Sequence, residues 1–256
     1  MPTDGSLIPR YGRARRDPSL AVLEGVHPLK HALRFGATIL EVACVDLAQL
    51  ERLASQLAPD LSALMLSLAR EIPADMFAQL APLPPPTGVI SLAERPTVDP
   101  ATALADARPA PVVLLEDPRD LGNTGACVRV AAAADAAAVL TTGGHDPWHP
   151  DALRGSAGLH YALPVDRLPH GLPSTLDRPL LALDPDGEPL DPAALPARAV
   201  LAFGTERHGL TPELLARADA RIAIPMRPGV SSLNLATSVA VVLFGWRLSS
   251  HSASPG

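Results

Sequence analysis

Residues 200–248 read VLAFGTERHGLTPELLARADARIAIPMRPGVSSLNLATSVAVVLFGWRL, and this stretch decides the fold of the second half of the chain. The apolar run Val200–Phe203 predicts a buried strand that stops at Gly204-Thr205-Glu206. A second strand is predicted over Arg221–Met226, and Ser231-Ser232-Leu233-Asn234 then leads into an apolar helix, Leu235–Trp246. Strands that end on small residues and exposed backbone amides form ligand sites in α/β folds, so this stretch predicts a ligand site.

Composition is typical of a globular protein. Of the 256 residues, 47% are apolar and 19% are charged, which excludes a disordered chain. The sequence has neither an apolar run long enough for a transmembrane helix nor a signal-peptide pattern at its start. Cys44 and Cys127 form no CxxC pair, so a disulfide framework and a zinc ribbon are not expected. We therefore expect a cytoplasmic protein with no membrane segment.

The formal net charge of −6 conceals a gradient along the chain. Basic residues outnumber acidic ones in residues 1–34, whereas residues 35–110 have the reverse balance. A local basic patch on an acidic protein still concentrates phosphate groups at one face. Arg10, Arg13, Arg15 and Arg16 form the core of this patch, although a solvated tail would account for the same charges equally well.

Alternating strand and helix patterns predict two α/β domains. Residues 1–100 contain predicted strands at 20–23 and 38–45 and predicted helices at 27–34 and 47–57, and a proline-rich linker follows at 101–111. From 112 to 256, predicted strands at 112–116, 138–141, 180–183 and 200–203 alternate with helices at 123–134 and 151–159. Such alternation indicates βαβ units and a largely parallel sheet. The segment 184–196, rich in proline and aspartate, is interpreted as a surface excursion.

The first chemically informative cluster spans residues 123–129, where a strand gives way to a helix. Asn123 can cap that helix, and Gly125 permits a close backbone approach. Arg129 lies on a helix otherwise made of small and apolar residues, where a charge needs either a partner or a role. An arginine that extends to solvent or pairs with a nearby aspartate is the structural alternative.

Two further clusters lie in residues 200–248. Gly204 and Gly209 predict a tight loop that holds Glu206 at its tip, although a loop carboxylate is more often a cap or a surface charge. Ser232 and Asn234 precede the predicted apolar helix, and helix N-termini bind anions. Ordinary helix capping is the competing interpretation for these two residues.

In this order and at these spacings, the three clusters resemble those of the SpoU (TrmH) family of RNA ribose 2′-O-methyltransferases, in the SPOUT superfamily. The residues that carry the resemblance are Asn123, Gly125 and Arg129; Gly204, Glu206, Gly209 and Leu210; and Ile224, Pro225, Met226, Ser232, Leu233 and Asn234. Arg154-Gly155-Ser156-Ala157-Gly158 is similar to an Arg-x-Ser-x-Gly segment of that family. The match covers residues 112–248, and residues 8–92 are more weakly similar to a small RNA-binding domain found in many members.

The resemblance implies a fold, a cofactor and partners. The fold is α/β: a parallel-sheet SPOUT domain with a deep trefoil knot, preceded by a smaller α/β RNA-substrate-binding domain. Knots are almost absent from other folds, so no periodicity argument predicts one. The implied cofactor is S-adenosylmethionine, bound near Gly204, Ile224, Met226 and Leu233. The implied partners are RNA, ribosomal rather than transfer by analogy with the added domain, and a second copy of the chain in a homodimer.

The resemblance also implies that Asn123, Arg129, Glu206, Ser232 and Asn234 are catalytic, and that Arg10, Arg13, Arg15 and Arg16 contact RNA. In the family the arginine has been regarded as the base. A guanidinium with a pKa above about 12 is a poor proton acceptor. We therefore hypothesise that Arg129 holds a phosphate and stabilises the developing alkoxide. Two departures are Leu121 where the family has proline, which loosens the turn, and Arg207-His208 where small residues are common.

Three alternatives remain at this point. The pairs His27/His31 and His145/His149 have i,i+4 spacing, but neither has a suitable third ligand nearby, so no metal site is expected. A nicotinamide-dependent enzyme is disfavoured because no G-x-G-x-x-G follows a strand. A non-catalytic RNA-binding protein on the same scaffold ranks second to the methyltransferase, since the candidate catalytic residues are all present.

Overall fold

The computed structural model describes residues 7–205 and 208–252. The chain forms two compact units. The first unit comprises the chain up to Thr97 together with Trp148–Ala162, and the second comprises Val98–Pro147 and the chain from Leu163 onward. None of the described helices is long and apolar enough to cross a membrane.

Ten α-helices and ten strands are described, together with three short 3₁₀ helices. The helices are α1 (Leu7–Ala14), α2 (Val26–Arg34), α3 (Leu47–Leu57), α4 (Ser62–Leu68), α5 (Ala74–Phe77), α6 (Pro100–Ala105), α7 (Leu121–Ala133), α8 (Pro150–Gly155), α9 (Pro212–Arg217) and α10 (Leu235–Ser252). The strands are β1 (Leu20–Glu24), β2 (Ile39–Cys44), β3 (Ala69–Glu71), β4 (Val89–Glu94), β5 (Val112–Leu115), β6 (Ala138–Thr141), β7 (Val165–Arg167), β8 (Leu180–Pro189), β9 (Val200–Phe203) and β10 (Ala220–Ala223).

The first unit is a four-stranded sheet in the order β1-β4-β2-β3, with helices packed on both faces. Strand β4 runs antiparallel to β1 and β2, whereas β3 runs parallel to β2. Alternate residues of β4 enter different cores because side chains of a strand point to opposite faces. Val89 packs with α2 and α3, while Ile90 and Leu92 pack with α1 and α5. The strands and helices predicted at 20–23, 27–34, 38–45 and 47–57 are therefore confirmed.

The basic start of the chain forms α1, which sequence patterns did not predict. Leu7, Tyr11 and Ala14 share one face of this helix and are buried in the first unit's core. The Tyr11 hydroxyl donates a 3.4 Å hydrogen bond to the Ile90 carbonyl oxygen, and burial raises the pKa of Tyr11 far above its usual range. The two-turn helix was missed because only three apolar positions define its buried face.

Segment 148–162 contains the Arg-x-Ser-x-Gly motif and packs within the first unit. Its helix ends at Gly155, short of the predicted Leu159, because Ala157 and Gly158 adopt positive φ angles of 54° and 78°. A Cβ at Gly158 would lie 2.6 Å from the Pro28 backbone, so this position requires glycine. The His31 Nδ1–H donates to the Ala157 carbonyl oxygen at 2.7 Å, which ties the segment to α2.

A buried carboxylate joins the same segment to β1. Glu24 is 6% exposed; it forms an ion pair with Arg15 at 2.8 Å and accepts a hydrogen bond from Arg154 at 2.5 Å. Arg154 also pairs with Asp151 at 3.0 Å. Two arginines therefore share one buried acceptor, and the charge of Glu24 compensates theirs.

The second unit is a six-stranded parallel sheet in the order β10-β8-β9-β5-β6-β7, as the alternating pattern predicted. The strands β5, β6 and β9 are completely buried, which accounts for their continuous apolar sequences. Strand β9 lies between β8 and β5: Val200 pairs with both Leu180 and Val112. The carboxyl ends of β8, β9 and β10 therefore lie at one edge of the sheet.

Three segments of the second unit differ from the predictions. Residues 101–111, predicted to be a linker, contain most of α6, which Asp99 caps and which buries Ala103 and Leu104. The predicted excursion at 184–196 begins as part of β8, which continues to Pro189 and pairs again with β10. The predicted helix at 123 begins two residues earlier, since Asp120 rather than Asn123 is its N-cap.

We predict that Glu24→Gln destabilises the first unit by about 3 kcal/mol, the lower end for breaking a buried ion pair, because Arg154 is half-exposed. The measurement is urea unfolding of the full chain. Asp60→Asn is the matched control, since it removes an exposed carboxylate that also pairs with an arginine, Arg34, and should change stability little. Equal midpoints for the two variants would show that the Arg15–Glu24–Arg154 cluster is not a stabilising contact.

Candidate functional site

A cavity of about 340 Å³ opens at the edge where β8, β9 and β10 end. This volume suits a small organic ligand, since ligand pockets occupy roughly 300–1,000 Å³. The wall combines apolar side chains with backbone amides and serine hydroxyls. Its lining residues are Leu183, Asp184, Pro185, Phe203, Gly204, Thr205, Gly209, Ile222, Ile224, Met226, Ser231, Ser232, Leu233, Leu235 and Ser238. All four predicted cofactor-binding residues, Gly204, Ile224, Met226 and Leu233, are among them.

Gly204 is the first residue of the loop that follows β9, and it packs against the backbone of Gly209. The loop is closed by two reciprocal backbone hydrogen bonds, from Thr205 N to Gly209 O at 3.1 Å and from Gly209 N to Thr205 O at 3.0 Å. A Cβ at Gly204 would overlap the Gly209 carbonyl and the Leu210 amide. Gly209 itself has a φ of +64°. Both glycines of this cluster are therefore required by backbone geometry, which is the physical content of the Gly-x-Glu-x-x-Gly pattern.

The opposite wall comes from an irregularity between β8 and β10. Arg221 pairs with Ala182, but the next residue, Ile222, pairs with Glu188, so residues 183–187 of β8 bulge out of register. A Cβ at Gly187 would lie 2.6 Å from the Arg221 backbone, and this close approach lets the bulge fold back onto β10. The bulge brings Leu183, Asp184 and Pro185 to the cavity.

The N-termini of α7 and α10 meet beside the cavity. Asn234 caps α10: its side-chain oxygen accepts from Ala236 N at 2.9 Å and Thr237 N at 3.3 Å. Its amide nitrogen donates to the Asn123 side-chain oxygen at 3.0 Å. The Asn234 side chain therefore does two things: its oxygen caps α10, and its amide group binds Asn123 of the first cluster.

Helices α7 and α10 run side by side in the same direction. At their other ends, the Arg247 guanidinium donates to the Ala134 carbonyl oxygen at 2.9 Å and lies 3.6 Å from the Asp135 carboxylate. Since Asn123 meets Asn234 at the first turns and Arg247 meets Ala134 at the last turn of α7, the two helix dipoles are parallel. Their positive ends lie together next to the cavity, a location that favours negative charge.

The structure places the remaining candidate catalytic residues as follows. Ser232 lines the cavity. Arg129 is exposed on α7, and within residues 7–205 and 208–252 its guanidinium forms no hydrogen bond or ion pair. Of the two structural alternatives for Arg129, pairing with an aspartate is not found among the described residues, whereas extension to solvent agrees with its exposed position. Glu206 lies outside the described residues, as does Arg207.

The four arginines predicted to bind RNA fall into two pairs. Arg10 contacts Glu41 at 2.9 Å, and Arg15 contacts Glu24 at 2.8 Å and the Leu80 carbonyl oxygen at 2.9 Å. Arg13 and Arg16 are exposed, and neither guanidinium has a hydrogen-bonding partner among the described residues. Two of the four side chains thus have structural partners and two remain available to a ligand.

Sequence reasoning did not single out Asp184, Phe203 or Ser238, which also line the cavity. In the sequence, Phe203 is the last apolar residue of a predicted strand and Ser238 is one position of a predicted apolar helix, so neither indicated a ligand site. Asp184 was assigned to a surface excursion because prolines and aspartates surround it. The Asp184-x-x-Gly187 spacing was the available signal, since glycine within a strand marks a bulge or a close backbone approach.

Comparisons with known proteins show the family to which this chain belongs. The model of the SpoU rRNA Methylase family matches residues 110–244. An uncharacterized tRNA/rRNA methyltransferase of Mycobacterium bovis is 34% identical over 194 residues, which cover 72% of this chain and 67% of that protein. The chain therefore belongs to the SpoU rRNA methylase family, a family of RNA methyltransferases.

Two further similarities extend over nearly the whole chain. The 23S rRNA (guanosine(2553)-2′-O)-methyltransferase of Bacillus subtilis is 27% identical over 247 residues, which cover 92% of this chain and 91% of that protein. The crystal structure of the SpoU methyltransferase AviRb from Streptomyces viridochromogenes, in complex with AdoMet, superposes with a TM-score of 0.75 at 21% identity. That superposition covers 96% of this chain and 99% of AviRb, and it shows a common fold.

We predict that Gly204→Ala destabilises the second unit by about 1–3 kcal/mol, the usual effect of overpacking, because the new methyl group meets rigid backbone. Thermal unfolding of the full chain measures this effect. Gly144→Ala is the control: a Cβ there meets no atom within 4 Å. Comparable melting temperatures for the two variants would contradict the close approach of Gly204 to Gly209.

Proposed function

We propose that this protein transfers a methyl group from S-adenosylmethionine to a ribose 2′-hydroxyl of ribosomal RNA. The observation that carries this proposal is the position of the Asn123–Asn234 hydrogen bond. Asn234 lies between two cavity-lining residues, Leu233 and Leu235, so the bond joins α7 to the rim of the cavity. A donor held in the cavity would thus face an acceptor held by residues of α7.

The cavity supports the choice of methyl donor. A nucleoside needs apolar surface for its base and directed hydrogen bonds for its sugar, and the wall supplies both, with Ile222, Ile224 and Leu233 beside serines and backbone groups. The bound donor would supply a sulfonium methyl group with a good leaving group. The protein then has to align the reacting atoms and to assist loss of the hydroxyl proton.

The methyl transfer needs no reactant besides the donor, the ribose hydroxyl and water. The ribose oxygen forms a bond to the methyl carbon, the carbon–sulfur electron pair goes to sulfur, and the hydroxyl proton leaves to water. Negative charge builds up on the ribose oxygen as its proton leaves, and the new bond to carbon then removes that charge. The exposed Arg129 guanidinium, with no partner among the described residues, can hold an RNA phosphate and stabilise that charge. We assign Asn123, Ser232, Asn234 and Glu206 to positioning of these groups.

The first unit is proposed to bind the RNA. Arg13 and Arg16 are exposed and have no ion-pair partner in the described part of the chain, so they are the candidates for phosphate contacts, whereas Arg10 and Arg15 pair with carboxylates. Phosphate contacts of this kind supply affinity and little sequence information. Ribosomal RNA is favoured as the substrate because the Bacillus subtilis relative, similar over nearly its whole length, is named for a 23S rRNA modification.

A homodimer is part of the proposal. Val241, Phe244 and Leu248 of α10 are 41%, 39% and 68% exposed, and their spacing places them along one face of the helix. A contiguous apolar stripe on a surface helix indicates a protein–protein contact. A second copy that covers this stripe would bury the outer face of α10. We also propose that the second unit contains the trefoil knot that the family resemblance implies.

Methyl transfer is tested with S-adenosylmethionine labelled in its methyl group and ribosomal RNA from cells that lack this protein. We expect label on ribose, and we expect Arg129→Lys to lower the rate at least about tenfold, because lysine lacks the bidentate fork. Arg52→Lys, at an exposed arginine of α3, is the control and should retain wild-type activity. Tight RNA binding without transfer would instead support a non-catalytic RNA-binding protein.

The homodimer is tested by sedimentation of wild type and of Phe244→Glu. We expect the wild type to sediment as a dimer and the variant as a monomer, because a carboxylate in an apolar contact is strongly unfavourable. Leu83→Glu, an exposed leucine of the first unit, is the control and should remain dimeric. A wild-type monomer across the concentration range would exclude this part of the proposal.

A further inference from the structure

Of the described residues that line the cavity, Asp184 is the only one with a charged side chain. The others are apolar residues, glycines, a proline, a threonine and serines. A single carboxylate in an otherwise neutral wall gives the cavity a net negative character. Burial of an ionised group is unfavourable unless something compensates it, so Asp184 needs an explanation.

The protein itself compensates Asp184 only in part. One carboxylate oxygen, Oδ1, accepts a 3.0 Å hydrogen bond from the Asp186 amide within the bulge of β8. The other oxygen, Oδ2, lies 3.7 Å from the Arg221 guanidinium, beyond ordinary hydrogen-bond distance. The Asp184 side chain is 12% exposed and the Arg221 side chain is 48% exposed, so the arginine is largely solvated while the carboxylate is not. Asp184 therefore retains the capacity to interact with a cation in the cavity.

We propose that Asp184 makes the cavity selective for the cationic methyl donor over its demethylated product. This inference rests on the proposed function. S-adenosylmethionine carries a net charge of +1, since its sulfonium adds to a zwitterionic amino-acid end. Transfer of the methyl group removes the sulfonium charge, and S-adenosylhomocysteine is neutral overall. A fixed carboxylate in the wall stabilises the first ligand by Coulomb attraction and gains little from the second.

The physical consequence is directional exchange of ligands. Only interactions that differ between two ligands produce discrimination, and the two ligands share the adenosine and the amino-acid end. Ile222, Ile224 and Leu233 line the cavity with uncharged side chains, so contacts with them would not depend on the charge of the ligand. A charge in the wall is therefore the feature of the described lining that separates donor from product. Each transfer removes the sulfonium charge and with it the attraction to Asp184. The neutral product is then released more readily, and a new donor binds in its place.

The test is calorimetric titration of the full chain with S-adenosylmethionine, with S-adenosylhomocysteine and with sinefungin, a cationic analogue that has an amine in place of the sulfonium. For Asp184→Asn we expect the affinity for the two cationic ligands to fall about tenfold, the effect of one partly screened charge. The affinity for S-adenosylhomocysteine should stay within about twofold, since its net charge is zero. Asp184→Glu should retain the selectivity of the wild type.

Two further variants control for the fold and for general charge effects. Asp186→Asn makes the same charge change at an exposed position of the same bulge, and it should leave all three affinities unchanged. Arg221→Gln removes the neighbouring cation and should increase selectivity for the two cationic ligands. Equal losses for all three ligands, or none, in Asp184→Asn would overturn the inference while leaving the methyltransferase proposal intact. A wild-type chain that binds none of the three would overturn both.

Discussion

The insertion of β9 between β8 and β5 is the constraint on which the rest of the second unit depends. Parallel pairing on both sides fixes Val200 opposite Leu180 and Val112, so the ends of these strands fall at one edge of the sheet. Chain segments far apart in sequence then meet at that edge, because a parallel sheet collects the carboxyl ends of its strands. Gly204 is the first residue beyond β9 and permits the loop to turn back against its own backbone.

Two neutral amide side chains, Asn123 and Asn234, lie at the rim of the site, and its charged side chains, Arg129 and Asp184, lie elsewhere. Asn123 and Asn234 join the starts of α7 and α10, where parallel helix dipoles already provide partial positive charge. A carboxylate pair there would gain from the dipoles but suffer mutual repulsion, whereas two amides satisfy one another without net charge. Arg129 and Asp184 carry opposite charges, which we propose act on RNA and on the cationic donor, and each is partnered weakly or not at all by the described residues.

In the first unit, the residues of a family motif form contacts that stabilise the fold. Within Arg154-Gly155-Ser156-Ala157-Gly158, Arg154 compensates the buried Glu24, Ala157 accepts from His31, and Gly158 permits contact with Pro28. Ser156 is buried and hydrogen-bonded to the His160 ring at 2.7 Å. Four of the five motif residues, all but Gly155, thus have a contact described inside this unit. Arg10 and Arg15 also lie in a basic segment, and both form ion pairs with carboxylates of this unit.

The sequence by itself determined the strands β5, β6 and β9, the helices α2 and α3, and the three clusters, because apolar period, glycine position and capping chemistry are local properties. It also indicated Gly204, Ile224, Met226 and Leu233, through a resemblance. Only the tertiary structure decided that α6 fills the predicted linker, that segment 148–162 packs with the first unit, and that Asp184 lines the cavity. Each of these depends on a contact between residues distant in sequence or on a register shift between strands, and neither leaves a periodic signal in the chain.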